Sequence, residues 1–81
     1  MSGATGFVLR RFPVYRDLIL LRLSADSRFR TMCADYKEAS DALVSWEQAT
    51  TPRAAELAKD YRRLVAELER EILSDLLEHD S

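Results

Sequence analysis

The chain has little of what most folds and most reactive sites are built from. Its 81 residues hold two glycines, two prolines, one cysteine and one histidine. With Cys33 as the single thiol, an internal disulfide and any cysteine-based zinc site are excluded. So few turn formers (Gly3, Gly6, Pro13 and Pro52) cannot supply the many turns of a sandwich or barrel. No run of about 20 apolar residues exists to span a bilayer. The opening MSGATGFVLRRF has no sustained apolar run before a small-residue cleavage site, and its arginines follow its apolar residues. No secretion signal is therefore expected, and the cytoplasm is the expected location. A glycine-rich phosphate loop is also missing.

What the chain does have is a balance of 47% apolar and 32% charged residues, that of a foldable chain. Its length allows one small domain with a thin core, about 3–5 kcal/mol of net stability without further help. Without a disulfide or metal, association is the expected aid. The net charge of −2 conceals an asymmetry. Residues 1–30 carry six arginines against Asp17 and Asp26, whereas residues 64–81 carry Arg70 against six carboxylates. A nucleic-acid binder is usually basic throughout; here a basic end is matched by an acidic one.

The spacing of apolar residues is helical from Pro13 onward, and residues 1–11 are expected to be a flexible tail. Helices are expected at about 13–23, 25–49 and 52–78, within one helical domain over 12–81. Pro13 suits a first helical turn. Ser24 is the expected cap of the second helix, with Asp26 just inside it. Phe29, Met32, Cys33, Tyr36, Ala39, Leu43 and Trp46 then recur at steps of three and four. Thr51 caps and Pro52 starts the third helix. Its stripe is Ala54, Leu57/Ala58, Tyr61, Leu64/Val65, Leu68, Ile72 and Leu76. The expected fold is all-α: a short N-terminal helix, then a long antiparallel, coiled-coil-like helical hairpin. Folding about Thr51 makes Phe29, Met32, Tyr36, Leu43, Tyr61, Val65, Leu68 and Ile72 the seam. The apolar run Leu18–Leu23, broken by Arg22, is expected to cover the open end, with Leu18, Ile19, Leu21 and Leu23 lying on Leu73, Leu76 and Leu77.

The segment FPVYRDLILLRLSADSRF (Phe12 to Phe29) resembles the opening of the small YdcH-like bacterial proteins of unknown function. The shared pattern is Phe-Pro-x-Tyr-Arg-x-Leu-Ile, a polar break, then Arg-Phe. Phe12, Pro13, Tyr15, Arg16, Leu18, Ile19, Arg28 and Phe29 carry it. The chain departs from it at Asp26-Ser27, where the family favours Asn-Pro, and the Thr50–Pro52 turn is its own. The resemblance implies cytoplasmic helical hairpins without known catalytic residues.

Catalysis lacks parts. Cys33 sits on the apolar stripe, the place of a buried thiol serving as a small hydrophobe. His79 lies one helical turn after Asp75, and Glu67 one turn before Glu71, but no Glu-x-x-His pair of a carboxylate-bridged metal bundle exists. No enzyme activity, cofactor or small-molecule substrate is expected. Arg10, Arg11, Arg16 and Arg22 raise nucleic acid or an anionic membrane as partners. They share no face and have no interleaved aromatic platform, so both partners are disfavoured. Leu20, Val44, Trp46, Leu57, Leu64, Leu73 and Leu77 lie beside the seam or opposite it, as an interface does. The expected role is a non-enzymatic interaction or assembly module, forming a homodimer or docking on another cytoplasmic protein. The alternative is binding of nucleic acid or an anionic membrane through the basic N-terminal segment.

Overall fold

The computed structural model describes residues 3–79, and these are helical nearly throughout, with no strand among them. In chain order they form α1 (Gly3–Arg11), a 3-10 turn (Pro13–Tyr15), α2 (Arg16–Ala25), α3 (Ser27–Gln48) and α4 (Pro52–His79). The all-α class and the two long helices are those expected. The first eleven residues are not: the tail expected there is helix α1 over its described part. Two glycines in nine residues make α1 a weak helix by propensity. It is held by what it covers, since Val8 is fully buried and Phe7 lies with its ring centroid 5.2 Å from that of Tyr36 on α3. Phe12, which follows α1, meets the same ring at 6.3 Å. Such aromatic pairs add about 0.5–1.5 kcal/mol beyond the area they bury.

The break between α2 and α3 also differs from expectation. Ser24 stays inside α2, its hydroxyl donating to the carbonyl of Leu21 at 2.7 Å. Asp26 is the cap. It is extended, at φ −133 and ψ 106, and its Oδ1 accepts from the amides of Arg28 (2.9 Å) and Phe29 (3.2 Å). Both residues are good caps by chemistry. Asp26 wins because a carboxylate there also receives a guanidinium, as described below. At the next link the expectation holds: Thr51 Oγ1 accepts from the amide of Ala54 at 3.2 Å, with Pro52 at the first helical position.

The long helices α3 and α4 lie along one another, joined by residues 49–51. Glu47, late in α3, reaches Arg62 at 3.1 Å, while Phe29, early in α3, shares its cluster with Ile72 and Leu76. These pairings run in opposite order along the two helices. The core is a single cluster of Val8, Ile19, Phe29, Cys33, Tyr36, Ile72 and Leu76, with Met32, Val65 and Leu68 partly buried against it. Each large apolar side chain so buried contributes roughly 1.5–3 kcal/mol against the entropy of ordering. Ala39, Ala54 and Ala58 are buried nearer the link. Leu43 and Tyr61 are half-buried and lie outside the main cluster, so the tight part of the seam is shorter than expected.

Helix α2 does not lie on α4 as the sequence suggested. Ile19 is buried and Leu18 and Leu23 are partly buried against the core, but Leu21 faces solvent. Of the three leucines that α2 was expected to cover, only Leu76 is buried, while Leu73 and Leu77 stay exposed. The reason is rotational: the face of α2 that turns inward carries Ile19 and Arg22, one turn apart, rather than Leu21.

Candidate interaction surface

The chemistry of the fold centres on Arg22, which is buried to 8% exposure. Its Nη2 donates to Asp26 Oδ2 at 2.7 Å and to Asp75 Oδ2 at 2.8 Å. The guanidinium carbon stands 4.9 Å from the centroid of the Phe29 ring. One side chain of α2 thereby joins the cap of α3 to the last third of α4. The hydrogen bond it donates to Asp26, then the charge of Asp75, hold the guanidinium above its ordinary pKa despite burial. The reciprocal effect pulls the Asp26 carboxyl below its ordinary value: Arg22 is the largest cause, and the amides of Phe29 and Arg28 add to it. Nη1 of Arg22 is buried without a hydrogen-bond partner.

A second cluster fastens α1. Arg11 donates to Glu69 Oε2 at 2.6 Å and stands 5.4 Å from the centroid of Phe12. Lys37, which holds Asp41 at 2.6 Å, lies 5.5 Å from the centroid of Phe7. The Tyr36 hydroxyl is pushed up in pKa chiefly by burial and next by the charge of Glu69. Glu69 and Tyr36 in turn raise the pKa of Arg11. These groups hold helices together.

The four arginines considered as contacts for an anionic partner therefore divide. Arg11 and Arg22 are occupied within the fold, a correction that Arg22 makes most plainly by its burial. Arg10 and Arg16 are exposed and enter no ion pair among the described residues. Cys33 is 1% exposed, and burial pushes its thiol up to about 11, so it remains protonated and packs as a hydrophobe. No group of three His, Cys, Asp or Glu in metal-holding geometry occurs among the described residues. The side chain of His79 lies outside them. None of the described helices is long and apolar enough to cross a membrane.

The apolar residues expected at an interface also divide. Val44, Leu64, Leu73 and Leu77 are exposed, whereas Leu20, Trp46 and Leu57 are half-buried in the chain itself. Val14 and Leu21, not expected there, are among the most exposed large apolar side chains, at 88% and 62%. Leu73 and Leu77 stand one turn apart on α4 and flank a shallow depression with Arg70, Ser74 and Glu78. Adjoining it across Arg70, Ser74 and Glu78, an open groove runs between α3 and α4. Phe29, Met32 and Leu68 contribute its apolar part, and carboxylates from both helices line it. No single residue type signals that groove in the sequence. Its trace is the i, i+4 pair Glu67 and Glu71, weighed in the sequence only as metal ligands.

No family model matches this chain, and neither a curated protein nor a solved structure matches it.

Proposed function

We propose that the chain is a non-enzymatic helical interaction module whose α3–α4 pair forms a coiled-coil-like hairpin and whose first partner is a second copy of itself. The observation that carries the reading is the exposure of Leu73 and Leu77 on adjacent turns of α4, beside a core that already buries Ile72 and Leu76. Contiguous apolar surface of this kind is a common mark of an interface, and a two-fold dimer is the commonest way to cover it. A cytoplasmic setting and membership of the YdcH-like proteins belong to the same proposal; the latter rests on the Phe12–Phe29 motif. Binding of nucleic acid or anionic lipid has less support, because Arg11 and Arg22 are committed to Glu69, Asp26 and Asp75.

Sedimentation at micromolar concentration tests the reading. The chain is expected to be a dimer whose unfolding midpoint rises with protein concentration. The Leu73→Lys/Leu77→Lys variant is expected to be a monomer of unchanged helical content. A wild-type monomer with a concentration-independent midpoint defeats self-association.

A further inference from the structure

The groove between α3 and α4 is chemically unlike the rest of the surface. Asp35 lines it from α3, and Glu67, Glu71 and Glu78 from α4, with Arg28 and Arg70 as the opposing charges. Asp26 and Asp75 line it as well, but both are held by Arg22. Asp35, Glu67 and Glu71 enter no ion pair among the described residues. Glu67 and Glu71 are at i, i+4 spacing, where like charges weaken a helix. Between the carboxylates lie Met32 and Leu68, both only partly buried. Arg22 also lines the groove, with its Nη1 buried and without an acceptor.

We infer that this groove docks a basic amphipathic helix of another protein. The occupant places an apolar stripe on Met32 and Leu68 and sets lysines or arginines against Asp35, Glu67 and Glu71. Charge complementarity selects it: an acidic or neutral helix would leave those carboxylates facing like charge or none, while a basic one neutralises them on desolvation. The lining on α4 runs from Glu67 to Glu78, about 16 Å at ~1.5 Å per residue, so three turns of partner helix fill it. This inference rests on the interaction-module reading and adds the class of partner to it, at a groove that adjoins the Leu73 and Leu77 depression across Arg70, Ser74 and Glu78.

The test is fluorescence anisotropy with a labelled 14-residue helical peptide of leucine and lysine, the leucines at i, i+3, i+4 and i+7 spacing. Two control peptides accompany it, one with glutamate in place of lysine and one with the leucines scattered around the helix. Binding of the first peptide alone is expected, weakening as salt screens the contacts. The Glu67→Lys/Glu71→Lys variant is expected to lose about tenfold or more in affinity, the equivalent of 1.4 kcal/mol. Glu38→Lys/Glu56→Lys makes the same change in net charge at exposed positions outside the groove and is expected to bind nearly as the wild type does. Absence of binding overturns the inference, as does binding of all three peptides or equal loss in both variants. Glu67→Gln/Glu71→Gln supplies the same comparison if the lysine variant does not fold. Sedimentation of the same samples keeps the outcomes apart. A dimer that ignores the peptide sinks the groove and leaves self-association standing, and a monomer that binds it does the reverse.

Discussion

Replacing Arg22 by methionine keeps an unbranched apolar stem in the core and removes the charge that joins α2, α3 and α4. Removing one partner of a fully buried ion pair costs about 3–5 kcal/mol, because the other charge is left without compensation. Here the cost is smaller, since the Asp75 side chain is 25% exposed and water repays part of what is lost. Asp26 is still held by two backbone amides. The stacking of the guanidinium on Phe29 adds about 0.5–2 kcal/mol to the loss. Together these give roughly 1.5–3 kcal/mol for Arg22→Met, much of the net stability expected of a domain this small. The double variant Arg22→Met/Asp75→Leu removes both charges and is expected to recover at least half of the loss, since apolar replacement of a buried pair is often neutral. Urea denaturation followed by circular dichroism, at one fixed protein concentration, reads all three proteins. The reasoning is refuted if Arg22→Met lies within about 0.5 kcal/mol of the wild type. It is refuted equally if the double variant is less stable than the single one.

Two further outcomes follow from the geometry. Tyr36, 1% exposed and in contact with Phe7 and Phe12, is expected to cost roughly 3–5 kcal/mol on replacement by alanine. Glu47→Ala, at an exposed pair with Arg62, is expected to stay within about 0.5 kcal/mol; equal losses at the two sites would mean the core is elsewhere. The Asp26 carboxyl has a folded-state pKa below its ordinary value of about 3.9, so the stability it contributes is present above that value and lost as pH falls through the folded pKa. Thermal midpoints between pH 5 and 2 should therefore fall less steeply for Asp26→Asn than for the wild type, and superimposable curves would refute the linkage.

The parts of the fold legible in the sequence are those fixed by neighbours three and four residues away. The stripe from Phe29 to Tyr36, its counterpart from Val65 to Leu76 and the Thr51-Pro52 start are of that kind. Helix α1 was not legible. Gly3 and Gly6 argue against a helix locally, and the surface that overrides them, Tyr36, lies 29 residues beyond Phe7. Arg22 was legible only as a basic interruption in an apolar run, because the carboxylate that lets it enter the core lies 53 residues later. The choice of Asp26 over Ser24 as a cap has the same origin: either oxygen satisfies the amides, and only the carboxylate also satisfies Arg22. The candidate surfaces were legible by type rather than by place. Leu73 and Leu77 stood out as surplus leucines, whereas the acidic groove exists only because Asp35 is set across from Glu67 and Glu71.

The pairing of Arg11 with Glu69 spans 58 positions of the chain. During synthesis the ribosome therefore makes α1 well before its anchor. At 5–20 residues per second, about 3–12 s separate the two. For that interval α1 lacks its tie to α4, and a helix with two glycines has little reason to persist alone. The α3–α4 pair, joined by its short link, closes as soon as its second arm exists. Helix α1 is thus tied to α4 only after α3 is complete, and until then its apolar residues are in part in the care of whatever meets a nascent chain.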